Sequence, residues 1–161
     1  WGRREPRTAR EKYRAGTRQL RRGRHEEALR LLQESCEADA TNPAALVNLG
    51  LAHYYLGQHT KAIERFQQAL ELRPSDSRIY LNVAAAENAL GHLDRAEAAL
   101  RKALEINAEQ KGAHYNLAIL HLKRNQIAAA MAELELELAV DPRHKQSLAA
   151  LAALRERLLP K

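Results

Sequence analysis

Histidine and carboxylate side chains recur at a constant spacing in this chain, and such groups can bind metal ions. His53, Glu87 and His121 follow one another at equal intervals. Two imidazoles and a carboxylate are ligands that suit zinc or iron. On successive packed helices, however, equivalent positions lie roughly 10 Å apart, whereas metal–ligand bonds are about 2 Å long. We therefore interpret the three as a hydrogen-bonded polar row, and we expect no metal and no cofactor.

The sequence gives no pattern typical of catalysis. No glycine-rich phosphate loop follows a strand pattern, and no nucleophile is grouped with a base. Cys36 is the only cysteine, so no intramolecular disulfide can form, and we interpret it as a small buried apolar residue. The serines fall at packing or helix-capping positions: Ser35, Ser75, Ser77 and Ser147. We expect no enzyme activity.

Positive charge is concentrated at the start of the chain. Residues 1–30 hold 11 Lys and Arg against 4 Asp and Glu, whereas the whole chain has a net charge of +6. Such a segment can attract nucleic acid, an anionic membrane surface or an acidic partner, or it can be a solvated helix face. Nucleic acid is the less favoured of these partners, because only Trp1 and Tyr13 supply aromatic rings there and no RNA-recognition motif appears.

Membrane insertion is not indicated, because no apolar run reaches the roughly 18 residues that a membrane-spanning helix needs and no signal peptide opens the chain. We therefore expect a soluble protein, with the cytoplasm favoured. The sequence begins at Trp1 rather than at methionine, so a missing N-terminal segment could tether it to a membrane, where the basic stretch would contact the anionic leaflet.

The chain repeats itself with a period of about 34 residues. Small residues coincide at two positions, large apolar residues at a third and turn residues at a fourth. These columns are Gly16, Gly50, Ala84 and Ala118; Ala28, Ala62, Ala96 and Ala130; Leu32, Phe66, Leu100 and Leu134; and Gly23, Gly57, Gly91 and Asn125. Small residues let helices cross closely, while large ones fill the space between them. Gly or Asn tolerates a left-handed backbone between two helices.

The spacing predicts four helical hairpins followed by one more helix. The predicted units are 9–42, 43–76, 77–110 and 111–144, after a basic segment 1–8 and before a capping helix 145–161. The predicted helices cover residues 9–22, 25–38, 43–56, 59–72, 77–90, 93–106, 111–124, 127–140 and 145–158. Capping signals agree, since Thr8 with Glu11 forms a capping box and Asn42 precedes Pro43. Asp76 is a further expected cap.

These columns resemble the tetratricopeptide repeat family over residues 9–144. The second unit carries the pattern most fully, with Leu46, Leu49, Gly50, Gly57, Ala62, Phe66, Ala69 and Pro74. The resemblance implies an all-α, right-handed α-solenoid of four such repeats plus a capping helix. It also implies a protein-interaction scaffold that binds an extended or helical segment of a partner protein in its concave groove. The alternative is a module that binds nucleic acid or an anionic membrane surface through residues 3–30.

Two places depart from the pattern. Glu137 stands where Ser35, Ala69 and Ala103 stand in the other units. A buried carboxylate is costly unless it is paired, so we expect either a pair with Arg155 or Lys145 or an exposed position. In the tail, we expect Leu148, Leu151, Ala152 and Leu158 to cover the fourth unit, while the charged residues 155–157 face water.

An asparagine row is the candidate ligand site. Asn48, Asn82 and Asn116 lie one repeat apart, and an amide can pair with a peptide backbone whatever its sequence. The alternative is a local bond to a neighbouring helix. Apolar neighbours should share this face: Val47, Leu51, Tyr54, Tyr55, Leu81, Tyr115, Ile119 and Leu122. Arg78 and Lys123 could select an acidic residue or a terminus, although Ala44 and Gly112 occupy places where a carboxylate clamp of this family needs bases.

Overall fold

The computed structural model describes residues 8–158, and the predicted segment 1–8 lies, apart from Thr8, outside them, as do residues 159–161. Over this range the chain forms nine α-helices and no strand. The helices are α1 (Ala9–Arg21), α2 (His25–Ala38), α3 (Pro43–Tyr55), α4 (His59–Leu72), α5 (Ser77–Ala89), α6 (Leu93–Ile106), α7 (Ala113–Lys123), α8 (Ile127–Val140) and α9 (Lys145–Leu158). The helices pack in sequence as successive hairpins, which confirms the all-α solenoid.

Side-chain caps fix where α1, α3 and α5 begin. Thr8 and Glu11 form the predicted capping box, in which each side chain accepts from the other residue's backbone N–H at 3.1 Å. Asn42 accepts from the backbone of α3 with Pro43 at its first position, and Asp76 accepts from Arg78 N. Each cap satisfies backbone donors that have no partner within the helix, so local sequence decides these boundaries.

Each hairpin is closed by a small residue on its first helix and a large one on its second. A Cβ added to Gly50 would lie 2.5 Å from a ring carbon of Phe66, and one added to Gly16 would lie 2.7 Å from Leu32 Cγ. Phe66 and Leu32 are completely buried. The helices therefore approach so closely that glycine is required in the first two units.

The turn inside each hairpin uses a left-handed residue, as the fourth column predicted. Gly23, Gly57 and Gly91 have φ of 72°, 75° and 78°, and Asn125 adopts φ of 57°. Asparagine is among the few non-glycine residues that adopt this conformation readily, which explains its place in the fourth unit.

The fourth hairpin corrects two expectations. Helix α7 begins at Ala113 rather than at residue 111, because Gly112 adopts φ of 83° and no side chain at the cap position accepts a hydrogen bond. The carboxylate of Glu137 takes that role: Oε1 accepts from Gly112 N at 2.7 Å, and Oε2 accepts from Tyr115 N at 3.2 Å. Glu137 is therefore fully buried and is paired neither with Arg155 nor with Lys145.

The last helix packs through a different face from the one expected. Ser147, Leu151 and Leu154 are buried against the fourth unit, while Leu148 is 49% exposed and Leu158 is 63% exposed. Ala152 is also exposed, so only Leu151 of the expected covering residues is buried there. Arg155 reaches Glu135 of α8 at 3.1 Å. In the described part of the chain, no helix is long and apolar enough to cross a membrane.

Candidate functional site

The first helices of the hairpins form one layer of the solenoid. Helices α1, α3, α5 and α7 contact one another across neighbouring units, whereas no comparable contacts join α2, α4, α6 and α8. In a curved stack the elements on the inner side lie closer together. The first helices therefore form the more closely spaced layer, and the asparagine row was predicted on these helices.

The three asparagine side chains differ in their hydrogen bonding. Asn48 Nδ2 donates to Thr17 Oγ1 on α1 at 2.9 Å, and Asn116 Nδ2 donates to the carbonyl of Gly112 at 2.7 Å. The side chain of Asn82 makes no hydrogen bond to another described residue. Two of the amides therefore stabilise the array itself, and Asn82 has its donors and acceptor available for a ligand.

A pocket of about 230 Å³ lies beside Asn82, between α3 and α5. Its floor and walls combine apolar and polar side chains. The lining residues are Pro43, Ala44, Val47, Asn48, Arg73, Asp76, Arg78, Ile79 and Asn82. An equivalent pocket of about 390 Å³ lies one unit earlier and includes Arg10, Tyr13 and Arg14. The repeat therefore places similar cavities at successive first helices.

Most of the apolar candidates are half-buried rather than openly exposed. Val47, Leu51 and Tyr54 pack against the core of the second unit. The other half-buried candidates are Leu81, Tyr115, Ile119 and Leu122. Tyr55 is the exception, with 57% of its surface exposed. Leu81 packs against the core of the third unit, and Tyr115 and Leu122 pack against that of the fourth, so the first helices present partly covered apolar side chains rather than a broad apolar patch.

The two basic candidates already have intramolecular partners. Arg78 Nη2 lies 2.9 Å from Asp76 Oδ2, and the hydrogen bond from this guanidinium holds the pKa of the Asp76 carboxyl below its usual range. Lys123 Nζ donates to Asn88 Oδ1 at 2.6 Å, which joins α7 to α5. The structure therefore does not bring Arg78 and Lys123 together, since each is held by a different neighbour.

The histidine and carboxylate row forms a side-chain hydrogen bond, here called a clasp, within the second, third and fourth hairpins. His53 Nδ1 lies 2.6 Å from Gln58 Oε1, His92 Nδ1 lies 2.8 Å from Glu87 Oε2, and His121 Nδ1 lies 2.7 Å from Gln126 Oε1. Every clasp joins the end of a first helix to the turn that follows it. The described residues contain no cluster of three potential metal ligands.

Cys36 is half-buried between the first and second units. Burial raises the pKa of its thiol to about 11, so the thiol stays protonated at neutral pH. Since the thiolate is the reactive form, this environment fits a packing role.

The sequence indicated a bond between the asparagines and a neighbouring helix only as an alternative, and it did not identify the partners of such contacts. Thr17, which holds Asn48, was not considered, and Glu137 was assigned the wrong partners. The role of Glu137 is indicated by the polar residue at the equivalent position of the first unit. This residue is Ser35, which donates to the carbonyl of Ala9 at 2.8 Å. Both side chains therefore reach the first turn of the partner helix in their hairpin.

Stacked hairpins with small residues at every crossing and a groove along the first helices define a helical-repeat solenoid. Models of the family described as tetratricopeptide repeat match residues 13–77, 47–111 and 88–154. The chain therefore belongs to the tetratricopeptide repeat family. A comparison with curated protein sequences gave no significant match.

Solved structures of similar shape carry the same fold. TTC0263, a thermophilic TPR protein in Thermus thermophilus, shares 20% identity and a TM-score of 0.81 over 94% of this chain and 84% of its own. YrrB, described as a TPR protein with an unusual peptide-binding site, shares 22% identity and a TM-score of 0.77 over 88% and 73%. The first TPR of Spaghetti (RPAP3), bound to the HSP90 peptide SRMEEVD, shares 22% identity and a TM-score of 0.69 over 75% and 96%.

Proposed function

We propose that this protein-interaction scaffold binds an extended or helical segment of a partner protein along its concave groove, centred on α3 and α5. The observation that carries the proposal is Asn82, a half-buried amide with no hydrogen-bond partner among the described residues, beside a pocket of about 230 Å³. An amide in such a place can donate to a backbone carbonyl and accept from a backbone N–H. A peptide backbone is therefore the ligand that best satisfies it.

Apolar walls beside this amide would add affinity. Val47 lines the pocket, and Leu51 continues the same face of α3 one turn further. Partly exposed side chains of this kind gain stabilisation when a ligand covers them. Peptide binding by YrrB and by the first TPR of Spaghetti supports the same use of this fold. The proposed groove uses the free amide of Asn82 and the apolar side chains of Val47, Leu51 and Leu81, whereas Asn48, Asn116, Arg78 and Lys123 already bind other residues of the array.

Peptides selected from a random display library against the intact chain would test this proposal. We expect Asn82→Ala combined with Leu51→Ala to weaken binding of a selected peptide by about 1–3 kcal/mol, measured by isothermal titration, with an unchanged circular dichroism spectrum. Gln67→Ala removes an exposed amide from α4 and is the matched control. A double variant that binds the peptide as tightly as the parent would place the ligand elsewhere.

A further inference from the structure

Four arginines form a stripe along the exposed side of α1. Arg10, Arg14, Arg18 and Arg21 are all exposed, and their spacing of four, four and three residues places them within about 80° of the helix circumference. The opposite side of α1 carries Gly16, which packs against Leu32. The stripe is about 16 Å long at about 1.5 Å per residue. It is a track of positive charge on one surface.

Carboxylates on α1 and α2 have other partners. Glu11, next to Arg10 on α1, accepts from Thr8 N at 3.1 Å. Glu27 accepts from Gln19 and lies 3.9 Å from Arg24. Glu34 lies 3.0 Å from both Lys12 and Arg30. None of the four stripe arginines forms an ion pair with a described residue. Their charge is therefore directed to solvent and is available to an anionic ligand.

Aromatic rings continue the surface at the end of the stripe. Tyr55 occupies on α3 the place that Arg21 occupies on α1, one repeat earlier, and α1 contacts α3. The ring of His25 stacks on Tyr55 with centroids 4.8 Å apart and planes at 21°. Tyr54 lies edge-on to Tyr55 at 5.6 Å. Tyr55 nevertheless remains 57% exposed, so the stack presents aromatic surface to solvent.

We infer that this surface binds single-stranded nucleic acid, with the arginine stripe contacting phosphates and the Tyr55–His25 stack contacting a base. A guanidinium matches phosphate geometry through two parallel hydrogen bonds. Aromatic side chains beside a basic track are the combination that binds single strands without sequence preference, since every base has a π-face. The sequence alone disfavoured this partner because it offered few aromatic rings near the basic segment. The fold supplies one from the next repeat.

The same features fit other anionic partners less well. An anionic membrane would attract the arginines by charge alone, but the described residues of α1 expose no large apolar side chain that would anchor the helix in it. An acidic protein segment would pair with the arginines but would gain nothing specific from the stacked rings. A single strand uses both halves of the surface, and a site of this length corresponds to about four or more nucleotides.

Fluorescence anisotropy with a 5′-fluorescein-labelled oligo(dT) of about twelve nucleotides, which spans a single-strand site of this kind, tests the inference. We expect binding at about 50 mM KCl that weakens with salt, with a slope of log K against log salt of about −2 to −3 for three or four phosphate contacts. Arg18→Gln with Arg21→Gln should weaken binding on the order of tenfold at this salt concentration. Arg95→Gln with Arg143→Gln removes the same charge from exposed residues elsewhere and should weaken it far less.

Stacking of a base on Tyr55 is tested separately, with two Tyr55 variants. Tyr55→Ala should weaken oligo(dT) binding on the order of tenfold, while Tyr55→Phe should retain it and inorganic polyphosphate should bind both variants alike. Absence of oligo(dT) binding at this low salt concentration, or equal effects of the two arginine pairs, would overturn the inference. So would a Tyr55→Ala variant that binds oligo(dT) like the parent, or polyglutamate competing as well as oligo(dT). Asn82→Ala with Leu51→Ala should leave oligo(dT) binding intact, because neither side chain belongs to the arginine stripe or to the Tyr55–His25 stack.

Discussion

The second and fourth hairpins differ at one buried position of the second helix, which is apolar in one and carries a carboxylate in the other. In the second hairpin, Phe66 fills the crossing against Gly50, and the buried place one turn later is Ala69. In the fourth hairpin that place is Glu137, whose carboxylate accepts from the backbone of α7. A second carboxylate, Glu133, lies 2.7 Å from His114 across the same pair of helices.

This difference follows from how each first helix begins. Asn42 caps α3 from within its own segment, so the partner helix needs no polar group. Helix α7 has Gly112 at its cap and no side-chain cap of its own, so the N–H groups of Gly112 and Tyr115 would be unpaired without Glu137. Positive charge at a helix N-terminus also favours a carboxylate there. The repeat thus tolerates a buried charge where it replaces a missing cap.

Placing a carboxylate at the equivalent position of the second hairpin should have the largest effect on stability. Ala69→Glu would bury a carboxylate beside α3, whose N-terminal donors Asn42 already satisfies. We expect a loss of about 3–5 kcal/mol in the free energy of unfolding, measured by urea denaturation. Ala69→Ser copies Ser35 of the first hairpin and should cost under about 1 kcal/mol, because its hydroxyl can donate to the partner helix. A mild effect of Ala69→Glu would mean that the second hairpin accommodates a buried carboxylate as readily as the fourth.

Removing the carboxylate of Glu137 from the fourth hairpin should have a smaller effect on stability. Glu137→Ala leaves the amides of Gly112 and Tyr115 without their acceptor, and we expect a loss of about 2–3 kcal/mol. Hydrogen exchange of the first amides of α7 should accelerate. The matched control is Glu135→Ala, two residues away, which removes only a half-exposed pair with Arg155 and should cost at most about 1 kcal/mol. Equal costs for the two variants would argue against a capping role.

The smallest effect on stability should come from lowering the pH, through His53 of the second hairpin. Burial lowers the pKa of His53 from its ordinary value, so the unfolded chain binds this proton more readily than the folded chain. The stability that neutral His53 contributes is therefore present above about pH 6.5 and is lost as the pH falls through and below that value. Thermal melts across this range, on either side of the ordinary pKa, should show a midpoint that falls further for the parent than for His53→Gln as the pH is lowered. Parallel curves would contradict this.

The fold was predictable because residues within each unit specify its helix starts, its turn and the faces that pack together. The caps at Thr8 and Asn42 fix helix starts through neighbouring residues, and the left-handed Gly57 or Asn125 fixes a turn. The small and large columns then specify which faces meet. The asparagine row was placed on its helices by the same logic, but its hydrogen bonds were not, since Asn48 depends on the hydroxyl of Thr17 on another helix.

The sequence by itself determined the repeat length, the helices and the crossing residues, because these depend on local propensity and on a period that four units share. The tertiary structure decided what depends on pairs distant in the chain. It joined Glu137 to α7, left Asn82 without a partner, and set Tyr55 on His25 beside the arginine stripe. Those outcomes rest on distances between side chains of different helices. The physical reason is that a column gives the position of a residue in its unit, whereas packing gives its neighbours.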